Sequence, residues 1–450
     1  MSGKGMSGYA SREEMLLKGN IFSLFWKFAL PGVTGLLLLG LQSVVDGVVL
    51  GHFVGANALA SVNLVLPCYS LITAFAIVIG VGCQTLVSIS LGQGNRRKAN
   101  DAVASLFYFL VGFSTLVSFL IYVYARPMAV FLGANDVLLP GAVAYIQALV
   151  PFFPILCLMF FGDYIIKATG HPVYATTVMG LTVILNILLD LLLVGVWDAG
   201  LRGAGLATGL AFTVGACLNA PYLFNTHRAV VVQRGRFHWS LVGRAFYNGS
   251  SEGMAELAVA ITVFLFNITL IRYLGEDGVA AFTVINYVMF IGVTLFLGVS
   301  DGIIPVIGYN FGAGQTGRIR SLLKLAARTN LWIGGSLFLI LFFFGKSILA
   351  LFFQEDGGAA LTIAAEGIRI YSFAFLLNGL NILASSYFTA IGDAKTSIII
   401  SLLRGLVFVV IGIWLYPRIW GIQSIWFNIP IAEACTWIVS CRLIYKSFRK

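Results

Sequence analysis

The sequence predicts an all-α membrane protein, with twelve transmembrane helices in two pseudo-symmetric six-helix lobes around a central cleft. Three observations carry that expectation. Hydrophobic residues make up 59% of the 450 and charged residues only 10%, with a mean hydropathy of +0.95; a soluble chain carries roughly 25% charge. Twelve apolar stretches reach the length of about 20 residues that a helix needs to cross a bilayer. The second half of the chain also repeats the first.

In chain order the helices are expected near 21–53, 58–91, 101–124, 139–161, 172–196, 203–224, 244–274, 279–308, 320–345, 361–391, 396–415 and 421–441. Residues 1–20 are polar and the first apolar run is too long for a cleavable signal, so 1–20 reads as a cytoplasmic N-terminal segment. Twenty-two of the 28 basic residues then fall in segments on the same side as the N-terminus, among them Lys4, Arg12, Arg96–Lys98 and Lys450. The six on the other side are Arg126, Arg202, Arg272, Lys346, Arg369 and Arg418. By the positive-inside rule this bias puts both termini in the cytoplasm of a multi-pass plasma-membrane protein. The net charge of +10 is therefore topological and does not point to nucleic acid. The six cysteines lie scattered through apolar helices without ligand spacing and read as small hydrophobes.

The repeat sets the domains. At an offset of 220, Phe53-Val-Gly-Ala-Asn-Ala-Leu-Ala-Ser lies over Tyr273-Leu-Gly-Glu-Asp-Gly-Val-Ala-Ala, Leu91-Gly-Gln-Gly over Phe311-Gly-Ala-Gly, and Gly82 over Gly302. Further on, Lys167-Ala-Thr-Gly170 pairs with Thr389-Ala-Ile-Gly392. An N-lobe at 21–224 and a C-lobe at 244–450 follow, joined by a basic, helix-poor cytoplasmic loop at 225–243. Six helices per copy give both lobes the same orientation, a plan suited to alternating access. Gly205-Leu-Ala-Thr-Gly209 and Gly298-Val-Ser-Asp-Gly302 have the small-residue spacing of close helix contacts.

Polar residues inside the helices carry the chemistry. Asp46, Asn186, Asp190 and Thr208 interrupt apolar runs at a similar depth, roughly 10 Å below the outer surface at 1.5 Å rise per residue. Asn186 and Asp190 are four apart and share one helix face. A bare carboxylate at such a depth costs about 3 kcal/mol, so two together imply a compensating proton or cation. Two carboxylates, an amide oxygen and a hydroxyl are hard oxygen ligands suited to Na⁺ or to a shared proton, and the carboxyl pair should titrate as a unit. Local hydrogen bonding to backbone or water is the alternative.

A second set lies toward the opposite depth: Glu252 and Glu256 on the seventh helix, Asp301 on the eighth and Arg404 on the eleventh. Arg404 either neutralises an acid to hold the lobe together or takes part in substrate or proton handling. Glu433 on the twelfth helix has no assigned partner, and Asp163 with Lys167 reads as an ordinary ion pair. The repeat places Phe266, Phe408 and Gly412 where the first lobe has Asp46, Asn186 and Asp190, so the two acidic sets should do different jobs.

In Ala29-Leu-Pro31-Gly32, Val45-Asp46-Gly47, Gly92-Gln-Gly94-Asn95, Asn186-xxx-Asp190 and Gly203-Ala-Gly205-Leu-Ala-Thr208 the chain resembles the multidrug and toxic compound extrusion family over nearly its whole length. The resemblance implies an exporter of cationic, amphipathic compounds driven by inward Na⁺ or H⁺, with Asp46, Asn186, Asp190 and Thr208 as its cation site and Pro31 as a helix-bending residue. Some relatives carry an acid on the tenth helix, where this chain has Asn378 and Asn381. The expected partners are small organic cations and the lipid bilayer, with no nucleic acid, no cofactor beyond the coupling ion, no metal beyond a possible Na⁺ at that site, and a monomeric chain. The rival readings are a flippase for lipid-linked or amphiphilic precursors, which would need buried cations such as Arg404, and an intramembrane enzyme. The enzyme reading lacks a nucleophile set, since His52, His171, His227 and His238 lie at helix ends or loops.

Overall fold

The computed structural model describes residues 13–353 and 358–449. Lys4, Arg12 and Lys450, with most of the expected N-terminal segment, lie outside the described residues. The regular structure of the described residues is all helical, and eleven of the helices are long and apolar enough to cross a membrane. One of them, Trp239–Gly312, is broken at Gly275, whose φ of 67° and ψ of −156° are not helical. It therefore supplies two crossings, and the twelve expected helices are all present. They are α1 (Ile21–Phe53), α2 (Ala56–Gly92), α3 (Arg96–Val123), α4 (Leu139–Ala168), α5 (Pro172–Val196), α6 (Gly200–Phe224), α7 (239–274), α8 (276–312), α9 (Thr316–Ala350), α10 (Gly358–Ala390), α11 (Ala394–Trp420) and α12 (Ile422–Ser447). A short helix, Ala125–Phe131, was not expected.

The repeated glycines are helix stops. Gly94 and Gly314 have φ of 73° and 71°, which a side chain would resist. Each donates its N–H back to Leu91 or Phe311, and the following residue donates to Ser90 or Asn310. That is the left-handed C-terminal cap, and Gly170 and Gly392 make it again after α4 and α10. New helices start at once: Asn95 accepts from the Lys98 amide at 3.0 Å, and Asp393 accepts from the Thr396 amide at 3.2 Å.

The chain forms two compact units, and neither coincides with a half of the repeat. The first holds 34–249 with the short stretches up to Gly19 and from Gly308 to Gln315; the second holds 20–33, 250–307 and the rest from Thr316. Glycines explain the exchanged ends. In the first unit a Cβ on Gly82 would strike the Ala245 carbonyl, one on Gly249 the Val78 carbonyl, one on Gly92 the Tyr309 carbonyl, and one on Gly312 the Ile89 carbonyl. The start of α7 and the end of α8 thus lie backbone to backbone against α2. In the second unit Gly32 meets Gly298, and Gly302 meets the Phe28 carbonyl, so the start of α1 is fixed to α8 in the same way.

The stretch between α6 and α7 is laid along α3. The Val231 amide donates to Asn100 Oδ1 at 2.8 Å, the Arg236 amide to Asp101 Oδ1 at 2.7 Å, and the His238 amide to Ser105 Oγ at 2.8 Å. Val230, Val231 and Val232 are buried beneath it.

Candidate cation site

Asp46, Asn186, Asp190 and Thr208 come together in the first unit, from α1, α5 and α6. The carboxyl groups of Asp46 and Asp190 are within hydrogen-bonding reach of each other, Gln42 reaches Asp46, and Asn186 reaches Asp190. Asn186 Nδ2 donates to Thr208 Oγ1 at 3.4 Å. Asn186 is fully buried, and Asp190, Thr208 and Gln42 are nearly so. Four oxygens here, Gln42 Oε1, Asp46 Oδ1, Asn186 Oδ1 and Asp190 Oδ2, are buried and receive no hydrogen bond from the protein. One donor-free buried oxygen costs about 1–3 kcal/mol; four turned into one place are a cradle for positive charge.

Local backbone form supports the site. The turns directly after Asp190, Leu191–Val196, are π-helical, and the Trp197 amide reaches back to the Leu192 carbonyl at 2.9 Å. Such wide turns are common where a helix serves a function. A small apolar cluster sits about a turn beyond the site, formed by Val49 and Leu50 of α1, Val194 of α5 and Ala204 of α6 together with Ala58 of α2. It shields the carboxyls from that end.

Three residues here were not expected from the sequence. Gln42 lies one turn before Asp46 on α1. Tyr69 of α2 lies within electrostatic range of Asp46, and Tyr145 of α4 within range of Asp46, Asp190 and Tyr69. Only the spacing of Gln42 from Asp46 offered a signal in the sequence. Among the described residues no three His, Cys, Asp or Glu side chains gather as they would for a divalent or transition metal. Two carboxylates with neutral oxygens match one or two positive charges.

The second set divides into two. Arg404 pairs with Glu433, with Nε 3.4 Å from Oε1, which gives the unassigned Glu433 its partner. Asn378 donates to Glu433 Oε1 and Asn381 to Oε2, each at 2.7 Å, and Ser440 donates to Asn381 Oδ1 at 3.0 Å. The two asparagines of α10 thus serve the acid of α12. Arg404 itself sits in a second π-helical stretch, Leu403–Val407, where Thr262 of α7 donates to the Gly405 carbonyl at 2.6 Å. Glu252 stands within electrostatic range of Asp301, Glu256 and Arg404, and Asp301 accepts from Ser386 Oγ at 2.8 Å. The guanidinium engaged with Glu433 thus also lies within electrostatic range of Glu252, which gathers Glu256 and Asp301 around it. Pro31 lies within the continuous helix α1. Asp163 and Lys167 form their pair at 2.5 Å.

The Glu433 network should be structural. Removing one partner of a buried pair leaves the other charge uncompensated, at 3–5 kcal/mol. Because Arg404 is partly exposed, Arg404→Gln is expected to cost about 3 kcal/mol, and adding Glu433→Gln should recover most of it. Thermal unfolding of the purified variants checks this; parental stability of Arg404→Gln alone would remove the pair from the scaffold.

Similarity to known proteins agrees with this fold. The MatE family model matches residues 31–192 and 244–415, one stretch in each half of the repeat. The multidrug export protein MepA of Staphylococcus aureus (strain MRSA252) is 22% identical over 434 residues, covering 95% of this chain and 94% of its own. MepA of Staphylococcus saprophyticus is also 22% identical over 434 residues, with the same coverage. A multidrug resistance MATE family transporter solved in an outward-facing conformation superposes with a TM-score of 0.88 at 21% identity, covering 97% of both chains. A MOP superfamily transporter from Pyrococcus furiosus Vc1, described as having a binding pocket of reversed polarity, gives 0.88 at 21% identity, covering 97% of this chain and 98% of its own.

Proposed function

The chain belongs to the MatE family of multi-pass membrane transporters, and from that premise we propose that it is a secondary active antiporter. It exports cationic amphipathic drugs or toxic organic compounds in exchange for Na⁺ or H⁺, by alternating access of its two lobes. It is a carrier rather than an enzyme, and works as a monomer in the plasma membrane with both termini in the cytoplasm. The observation that carries this reading is the set of four buried, donor-free oxygens on Gln42, Asp46, Asn186 and Asp190. A coupling cation or proton entering there satisfies groups that the protein leaves bare. The names of the MepA relatives as multidrug export proteins support the substrate class.

Energy supply constrains the exchange. One charge moving down 100 mV yields about 2.3 kcal/mol. An organic cation leaving the cell climbs the same potential, so one-for-one exchange gains nothing from voltage and draws on the ion gradient alone. The flippase reading loses its buried cation, because Arg404 is engaged with Glu433.

Ethidium transport in everted vesicles, with Na⁺ and pH gradients imposed separately, tests the proposal. Movement coupled to one gradient is expected. Movement under neither, in vesicles that hold the protein folded, would refute antiport.

A further inference from the structure

A groove at the ends of α9, α10 and α12 has the build of a lipid site. It encloses about 240 Å³, and its floor is apolar, formed by Leu323, Leu380, Leu383 and Ala384. Arg320 and Lys324 stand at its rim, four residues apart on one face of α9 and both exposed. The aromatic wall holds the rim in place: the Arg320 guanidinium lies over the Phe448 ring at 5.0 Å, Phe448 stacks on Tyr387 at 5.7 Å, and the Tyr387 hydroxyl meets Ser447 Oγ at 2.9 Å. Among the described residues neither Arg320 nor Lys324 forms an ion pair. The acid recorded nearby, Asp393 after α10, lies within electrostatic range of Tyr387, but its carboxylate caps α11 by accepting from the Thr396 amide and hydroxyl. Arg320, held over Phe448, and Lys324 beside it at an oily groove suit an anion with an apolar tail. They would also repel an organic cation, so the groove does not fit the proposed cargo.

The charge bias assigns these helix ends to the cytoplasmic face, where anionic lipids concentrate. Arg320 lies in the second turn of α9, close to the helix end that favours negative charge. Tyr387 and Trp437 supply the amphipathic rings typical of the membrane interface. We propose that this groove binds an anionic phospholipid, its phosphate between Arg320 and Lys324 and one acyl chain laid over the apolar floor.

The test is native mass spectrometry of the full chain in detergent, offered equal amounts of phosphatidylglycerol and phosphatidylcholine. Two basic residues at an anionic surface supply roughly a thirty-fold preference for the anionic lipid, and that preference is expected in the parent. It should vanish in Arg320→Gln/Lys324→Gln and persist in Arg442→Gln/Lys446→Gln, which removes equal charge from the neighbouring end of α12. Inorganic phosphate should not displace the lipid, since it lacks the chain. Thermal unfolding confirms that each variant is folded. An unchanged preference in the first variant, an equal loss in the second, or full displacement by phosphate would each overturn the assignment.

Discussion

Asp190→Asn is expected to reduce ethidium efflux to the level of cells lacking the transporter, while expression and membrane insertion stay at parental levels. The substitution keeps the shape of the side chain and removes a single charge. Two carboxylates at membrane depth would together cost about 6 kcal/mol if left bare, so on the proposed function the site should hold a cation or proton strongly enough to use its gradient. With one carboxylate left, the remaining oxygens of Gln42, Asp46 and Asn186 have half the charge to offer. Because Asp46 and Asp190 reach each other, they should act as a unit. Asp46→Asn should fail equally, and the double variant should be no worse than either single one, a non-additivity that independent sites would not show. Thr208→Val removes only a hydroxyl that accepts from Asn186 and should weaken efflux without abolishing it. If Na⁺ is the coupling ion, saturating Na⁺ at about 100 times its dissociation constant adds about 2.7 kcal/mol of stability, and that gain should disappear in Asp190→Asn. Full efflux by Asp190→Asn would refute the site.

Much of this was legible in the sequence, for identifiable reasons. Long apolar runs can only be crossing helices, and the glycines at 94, 170, 314 and 392 end helices through a backbone form that other residues resist. The four site residues stood out because polar groups in hydrocarbon need a reason. Tyr69 and Tyr145 did not stand out. A tyrosine is at home in any membrane helix, and only packing decides which face of α2 or α4 turns toward the carboxyls. Arg404 could not be matched to Glu433 because three other acids lay on α7 and α8, and choosing among them needs the rotation of α7, α8 and α12 relative to α11. The π-helical turns after Asp190 and around Arg404 left no distinct signal, since the glycine in each, Gly195 or Gly405, is one of many in these helices.

The close contacts of α2 were the least legible feature, since glycine is common throughout the chain, and they give the second large effect. Gly92→Ala combined with Gly312→Ala is expected to stop transport while leaving substrate binding intact. The two positions are equivalent in the repeat, and so are the carbonyls they meet, Tyr309 and Ile89. Neither contact has a flexible side chain that could step aside, because each partner is backbone. Overpacking costs about 1–3 kcal/mol per site, so the pair together disfavours this arrangement by about 2–6 kcal/mol. Inverting a two-state population from 99:1 to 1:99 takes about 5.5 kcal/mol. A carrier that must pass through the zipped arrangement once per cycle should therefore stall in its other conformation. Cysteines placed on facing turns of α2 and α8 near these glycines, in a background without native cysteines, should label faster in the double variant than in the parent. Gly112→Ala and Gly335→Ala are the controls: nothing lies within 4 Å of either new Cβ, and alanine is the better helix former. They should transport as the parent does. Should the double variant also transport normally, the seam would be a contact with enough slack to absorb a methyl group, and the packing of the end of α8 on α2 within the first unit would be scaffolding rather than a moving part.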